Sequence, residues 1–205
     1  MMDDTYRTIE GVAEGLYKEK GSKFISLAYP VVSQEQVKEH LTNLRKQLHD
    51  ARHQCYSYII GHDGDQWRLN DDGEPSGTAG RPIHGQILSH NLTNVLVVVV
   101  RYFGGTKLGV SGLTNAYKEA ANDALSNASI VTRTRTQTYR VSFSYADTNN
   151  VMRIINDEQI TISNQQFDSE SHLILQFRLS REQSIIDRIE RISSVTLQRI
   201  SKPTT

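Results

Sequence analysis

Asp71, Asp72 and Glu74 crowd one stretch of the chain, Asn70-Asp71-Asp72-Gly73-Glu74-Pro75-Ser76-Gly77-Thr78-Ala79-Gly80-Arg81-Pro82. Adjacent carboxylates supply hard oxygen ligands for Mg²⁺, or an acid/base pair with split pKa values. Asp72-Gly73 and Glu74-Pro75 are also ordinary turn chemistry, and on spacing alone the turn is favoured. Ser76, Thr78 and Arg81 add hydroxyls and a guanidinium beside a helix start, a combination that suits an anion such as phosphate. A second glycine run, Arg101-Tyr102-Phe103-Gly104-Gly105-Thr106-Lys107-Leu108-Gly109-Val110-Ser111-Gly112-Leu113, sets Arg101 and Lys107 around aromatic faces. Nucleotide and single-stranded RNA sites use that pairing, and packing at a strand end uses the same aromatics.

Neither run fits a phosphate loop, because Gly105-Thr106-Lys107 reverses the Gly-Lys-Ser/Thr order, and neither has dinucleotide-binding glycine spacing. An NTPase is therefore disfavoured. His53 and Cys55 alternate by two and so share one face of a strand, where a thiolate-imidazole pair competes with plain packing. Packing is the favoured reading, since a lone cysteine is usually a small core residue. Ser76 lacks the first glycine of a nucleophile elbow, and the seven histidines show no metal-binding spacing. No catalytic residue, metal site or cofactor is expected.

The elements that must hold these loops follow from periodicity. Residues 6–11, 15–20 and 22–30 read as strands of a meander. Ser33 with Gln36 forms a capping box, and Val37, Leu41, Leu44 and Leu48 then recur on one face, predicting a helix over 33–49. Residues 54–60 and 66–70 form a hairpin around an Asp-Gly turn. Residues 81–90 form a short helix whose N-terminal N–H groups face the first loop. Residues 94–101 are an unbroken apolar strand, buried on both faces and hence central in its sheet. From Ser111 an alanine-rich helix begins, with Ser111 or Gly112 near its cap, and a strand over 130–135 ends the unit. The pattern then resets as strand 137–145, helix 147–158, strands 160–167 and 171–179, helix 181–193 and strand 195–200. This βαββαβ order is the split-βαβ, ferredoxin-like arrangement. The expected class is therefore α+β, with domains at 1–135 and 136–205.

The 205 residues balance 23 basic against 23 acidic side chains, so any nucleic-acid role must use a local patch rather than the overall field. The longest apolar run, residues 95–100, is too short to span a bilayer. The opening Met1-Met2-Asp3-Asp4-Thr5-Tyr6-Arg7 lacks the features of a secretory leader, and Cys55 is the only cysteine. A cytoplasmic protein without a membrane partner is expected.

Taken together, the run from Asp71 to Gly80, the valine strand ending in Arg101-Tyr102-Phe103-Gly104-Gly105-Thr106-Lys107-Leu108-Gly109, and the His53, Cys55, Tyr56 group resemble the signature of the IMPACT family, bacterial YigZ-like branch. The resemblance implies an N-terminal domain of the ribosomal-protein S5 domain 2-like fold. It also implies a ferredoxin-like C-terminal domain similar to one of translation elongation factor G. Eukaryotic members regulate translation under amino-acid starvation by competing for the activator of an initiation-factor kinase, a pathway without a bacterial counterpart. One departure is Asn115, at a position where relatives carry a cation.

The expected function is a non-enzymatic module, linked to translation, that binds RNA, the ribosome or a translation-associated protein. Asp71, Asp72 and Glu74 orient the first loop or its ligand, Ser76 and Thr78 donate hydrogen bonds, and Arg81, Arg101 and Lys107 meet anionic groups. The alternatives are a metal-assisted enzyme acting on a small phosphorylated or nucleotide-like substrate, and a pure protein-interaction adaptor.

Overall fold

The computed structural model describes residues 4–167 and 170–200. The chain divides into two compact units, one spanning Tyr6–Arg133 and the other built from Thr134 onward together with the N-terminal residues up to Thr5. Met1 to Asp3, which belong to the stretch read for a leader, and the tail beyond residue 200 lie outside the described residues.

The first unit is a five-stranded sheet in the order β2 (Ala13–Glu19), β3 (Ser22–Pro30), β6 (Val95–Tyr102), β4 (His53–Ile60), β5 (Gln66–Asn70). Every neighbouring pair is antiparallel. β6 holds the centre because six consecutive apolar residues, Val95 to Val100, are all fully buried, which only helices on both faces of the sheet can achieve. On one face α2 (Gly80–Ser89) and α3 (Gly109–Ser126) bury Ile83, Ile87, Ala116, Tyr117 and Ala120 against Phe24, Cys55 and Val97. On the other face α1 (Gln34–Gln47) sets Val37 and Leu44 over Leu96, Val98 and Val100.

The capping residues of α1 act as their spacing predicts, with Ser33 Oγ accepting the Gln36 N–H at 3.4 Å. Gln36 in turn reaches back to the N–H of Val32 at 2.8 Å, one residue earlier than the usual box. The expected three-strand meander is not formed. β2 and β3 make a hairpin, while β1 (Thr5–Ile9) pairs instead with β7 (Ile130–Thr134) in a separate two-stranded sheet. The chain beyond β1 follows that partner, for the Glu10 N–H donates to the Ser129 carbonyl at 2.9 Å.

The second unit runs β8 (Thr136–Ser144), α4 (Thr148–Asp157), β9 (Thr161–Phe167), β10 (Glu170–Arg178), α5 (Glu182–Ile189), β11 (Thr196–Ile200). Its four strands lie in the order β11-β8-β10-β9 with antiparallel neighbours. Tyr139, Val141 and Phe143 on β8 and Leu173, Leu175 and Phe177 on β10 meet Val151, Ile155, Ile185 and Ile189 of the helices in one core. α5 is shorter than the predicted 181–193, because the chain after Ile189 closes into turns with Ile192 N–H on the Ile189 carbonyl.

Candidate functional site

The first glycine loop holds itself together. The Asp71 carboxylate accepts the N–H groups of Gly77 at 2.8 Å, Ala79 at 3.0 Å and Gly80 at 2.8 Å, and so acts as the anion at the start of α2. Amide groups that sequence reasoning left free for a ligand are therefore occupied by the protein's own side chain. Burial works to raise the Asp71 pKa, but the donors at Gly77, Gly80 and Ala79 and the charge of Arg81 outweigh it and hold the carboxyl below its ordinary value. The folded-state pKa is depressed, so the stability it contributes is complete above the ordinary aspartate range and drains as pH falls through the lower folded value. Asp71→Ala should cost about 1 kcal/mol at neutral pH, as for a lost helix cap. Urea melts should show the wild-type advantage disappearing on acidification.

Asp72 and Glu74 face different partners. One Asp72 oxygen accepts Arg45 at 2.8 Å and the other the Gln54 N–H at 2.7 Å, while the Asp72 carbonyl meets His53 Nδ1 at 2.9 Å. Glu74 Oε1 accepts Arg101 at 2.7 Å and the Tyr117 hydroxyl at 2.8 Å, which ties the loop to the end of β6 and to α3. The three carboxylates thus diverge, and among the described residues no cluster of three or more histidine, cysteine or acidic side chains could hold a metal ion. Thr78 is buried with its hydroxyl donating to the Pro75 carbonyl at 2.6 Å, and Ser76 and Arg81 are exposed away from the second loop's hollow.

Cys55 is fully buried, its thiol donating to the Asp71 carbonyl at 3.0 Å and to the Tyr117 oxygen at 3.3 Å. Burial pushes that thiol up to about 12, so at neutral pH it is a hydrogen-bond donor and not a thiolate. Burial likewise raises the Tyr117 hydroxyl. Cys55, Tyr117, Glu74 and Arg101 therefore form one internal polar chain in which each polar side chain already has a partner.

The second loop leaves β6 and folds against the β2–β3 turn. A Cβ on Gly104 would sit 1.8 Å from the Gly21 carbonyl carbon, and the Gly104 N–H donates to Ser22 Oγ at 3.1 Å, so only glycine fits there. Gly109, at a φ of 73°, then bends the chain into α3, which begins two residues before Ser111 and has no side-chain cap. Between the loops lies a hollow of about 450 Å³. Pro75, Phe103, Leu108, Val110 and Leu113 give it an apolar wall, and Arg52, His53, Glu74, Arg101 and Lys107 supply its polar groups. Of the expected ligand residues, Glu74, Arg101 and Lys107 line it, and Asp71, Asp72, Ser76, Thr78 and Arg81 do not. Sequence reasoning missed Arg52, whose only signal was a cation next to the His53-x-Cys55 alternation.

Fold and site define a class of protein in which two mixed α/β units follow one another and the first carries a cation-rimmed hollow between two glycine loops. The model of the Impact N-terminal domain matches residues 20–125, and the chain belongs to the IMPACT family. IMPACT family member YvyE of Bacillus subtilis is 34% identical over 141 residues, covering 69% of this chain and 65% of that protein. IMPACT family member YigZ of Escherichia coli is 35% identical over 128 residues, covering 62% and 63%. The match thus spans just under two thirds of the length of both relatives. A crystal structure of a hypothetical protein superposes with a TM-score of 0.71 at 25% identity, covering 98% of this chain and all of that one. Among the described residues no helix is long and apolar enough to cross a membrane.

Proposed function

We propose that this chain is a non-enzymatic, translation-linked regulatory module that binds RNA through the hollow between its glycine loops. The observation that carries this reading is the division of labour around the hollow. Phe103, 59% exposed, stands on its rim with the exposed cations Arg52 and Lys107, while Cys55, Tyr117 and Glu74 are bound to one another and His53 Nδ1 is held by the Asp72 carbonyl. An exposed aromatic face flanked by cations is how unstacked bases are held. Local placement of those cations also meets the constraint of zero net charge. Membership of a family whose eukaryotic members regulate translation supports the link to that process. A metal-assisted enzyme is less well supported, because Asp71, Asp72 and Glu74 each answer to separate protein partners.

In this reading the two units are separate domains, residues 1–135 and 136–205, the first of the ribosomal-protein S5 domain 2-like kind and the second ferredoxin-like, and the protein works in the cytoplasm. The strand order β11-β8-β10-β9 with a βαββαβ sequence supports the second assignment. Arg101 is a poor probe of binding, because it is tied to Glu74 inside the fold. The test is co-sedimentation with ribosomes and single-stranded RNA at low salt, comparing wild type with Arg52→Ala/Lys107→Ala. Binding should weaken, and the slope of log affinity against log salt should shrink by about 0.7 for each cation removed. Sedimentation equal to wild type at every salt concentration would contradict the reading.

A further inference from the structure

One face of the five-stranded sheet is only partly covered. Five strands about 4.8 Å apart span about 19 Å, and a single helix of about 10 Å shields roughly half of that width. Two helices, α2 and α3, pack on one face, whereas among the described residues α1 is alone on the other. Between α1 and the β4–β5 pair this leaves a groove of about 470 Å³. Its helix wall, from Gln34 to Arg45, runs for about three turns, or about 16 Å. Val37 and Leu41 give it an aliphatic floor, Tyr56 and Tyr58 of β4 form the opposite wall, and Lys38, Arg45 and Arg68 stand along it.

The groove holds a polar group that the fold does not use. Tyr58 is only 6% exposed, yet its hydroxyl has no hydrogen-bond partner among the described residues and is not sealed off from the groove it lines. Polar atoms on so buried a side chain are usually paired, so this one offers a hydrogen bond to an incoming group. The charges are one-sided as well. Arg45 is paired with Asp72, and the Glu35 carboxylate is turned to its own N–H and to the Ser33 hydroxyl at the start of α1. Lys38 and Arg68 are exposed and have no carboxylate partner among the described residues.

We propose that this groove docks an acidic segment of a partner protein, with carboxylates on Lys38, Arg68 and the Tyr58 hydroxyl and an aliphatic side chain on Val37 and Leu41. Unpaired cations along the groove call for an anionic occupant, and the aliphatic floor favours a protein segment over a nucleic acid. A base would find little to stack on, because Tyr58 is buried and Tyr56 half-buried, unlike the exposed Phe103 of the hollow. A length of about 16 Å accommodates about five residues of extended chain or about three turns of helix. The groove shares no lining residue with the hollow, so this second surface goes beyond the RNA reading and does not rest on it.

Fluorescence anisotropy at low salt tests it, with a labelled glutamate–leucine peptide of about twelve residues to match the groove. A lysine–leucine peptide, a glutamate–glycine peptide and a labelled oligouridylate serve as the comparison probes. The glutamate–leucine peptide should bind the wild type. Lys38→Glu/Arg68→Glu should weaken that binding at least about tenfold, and Tyr58→Phe about threefold, the worth of one hydrogen bond. Both variants should melt close to wild type, and Arg52→Ala/Lys107→Ala, which alters only the hollow, should bind the peptide unchanged. No binding of the glutamate–leucine peptide, or equal binding by wild type and the charge-reversed variant, overturns the proposal. Equal binding of the lysine–leucine or the glutamate–glycine peptide overturns it too, because the charge or the aliphatic floor would then play no part. If the peptide does not bind and the charge-reversed variant loses the oligouridylate, the groove belongs to RNA, and the proposal fails while the RNA reading stands. If the peptide binds as expected and RNA does not co-sediment, the RNA reading alone fails.

Discussion

Glu74→Ala should destabilise the first unit by about 3–5 kcal/mol, the range for removing one partner of a buried ion pair. The side chains of Glu74 and Arg101 are only 4% and 9% exposed, so solvent cannot take over when the carboxylate is removed. The variant would leave a guanidinium buried without a counter-charge and the Tyr117 hydroxyl without its acceptor. Glu74→Leu combined with Arg101→Met should recover much of the loss, because replacing both charges by apolar groups removes the unpaired charge along with the pair. Urea unfolding of the single and double variants measures the cycle. A single-variant loss under about 1 kcal/mol, the range of exposed pairs, would mean the pair is solvated and does not pin the loop.

Gly104→Ala should be nearly as damaging, at about 3 kcal/mol or more, the upper end for forced overpacking. The added carbon would meet Gly21 backbone at 1.8 Å, and no rotamer change moves backbone aside. Relief requires the loop to lift away from the β2–β3 turn, carrying Phe103 and Lys107 with it. Gly105→Ala is the control. Its φ of 89° carries strain of about 1 kcal/mol, but the space around it is open. Thermal melts should therefore place Gly104→Ala well below Gly105→Ala. Similar melting temperatures would show that the two backbones do not touch in solution.

Much of the fold was legible because local rules decided it. Six apolar residues in a row at 95–100 have only a doubly buried strand as an outlet, and Ser33 with Gln36 marks a helix start by side-chain reach alone. The alternation in 137–145 and 171–179 likewise carries the second unit's sheet. What escaped was non-local. Nothing within β1 tells it to join β7, about 120 residues away, in place of β2. The roles inside the first glycine loop were hidden for the same reason. Asp71 and Asp72 are indistinguishable as neighbours in a sequence, yet one caps α2 and the other reaches Arg45 and the Gln54 N–H. Glu74 finds Arg101 across 27 positions and Tyr117 across 43. Residue types marked the region where chemistry gathers, and only the packed fold separates the groups that build the loop from those that face the hollow.

The most direct measurement is amide chemical-shift mapping of the ¹⁵N-labelled protein during titration with short single-stranded RNA at low salt. The largest shifts should fall on Arg52, Phe103, Gly105, Lys107, Gly109 and Val110, with the Asp71 loop moving little. Shifts confined to residues 136–200, or no shifts at all, would contradict it.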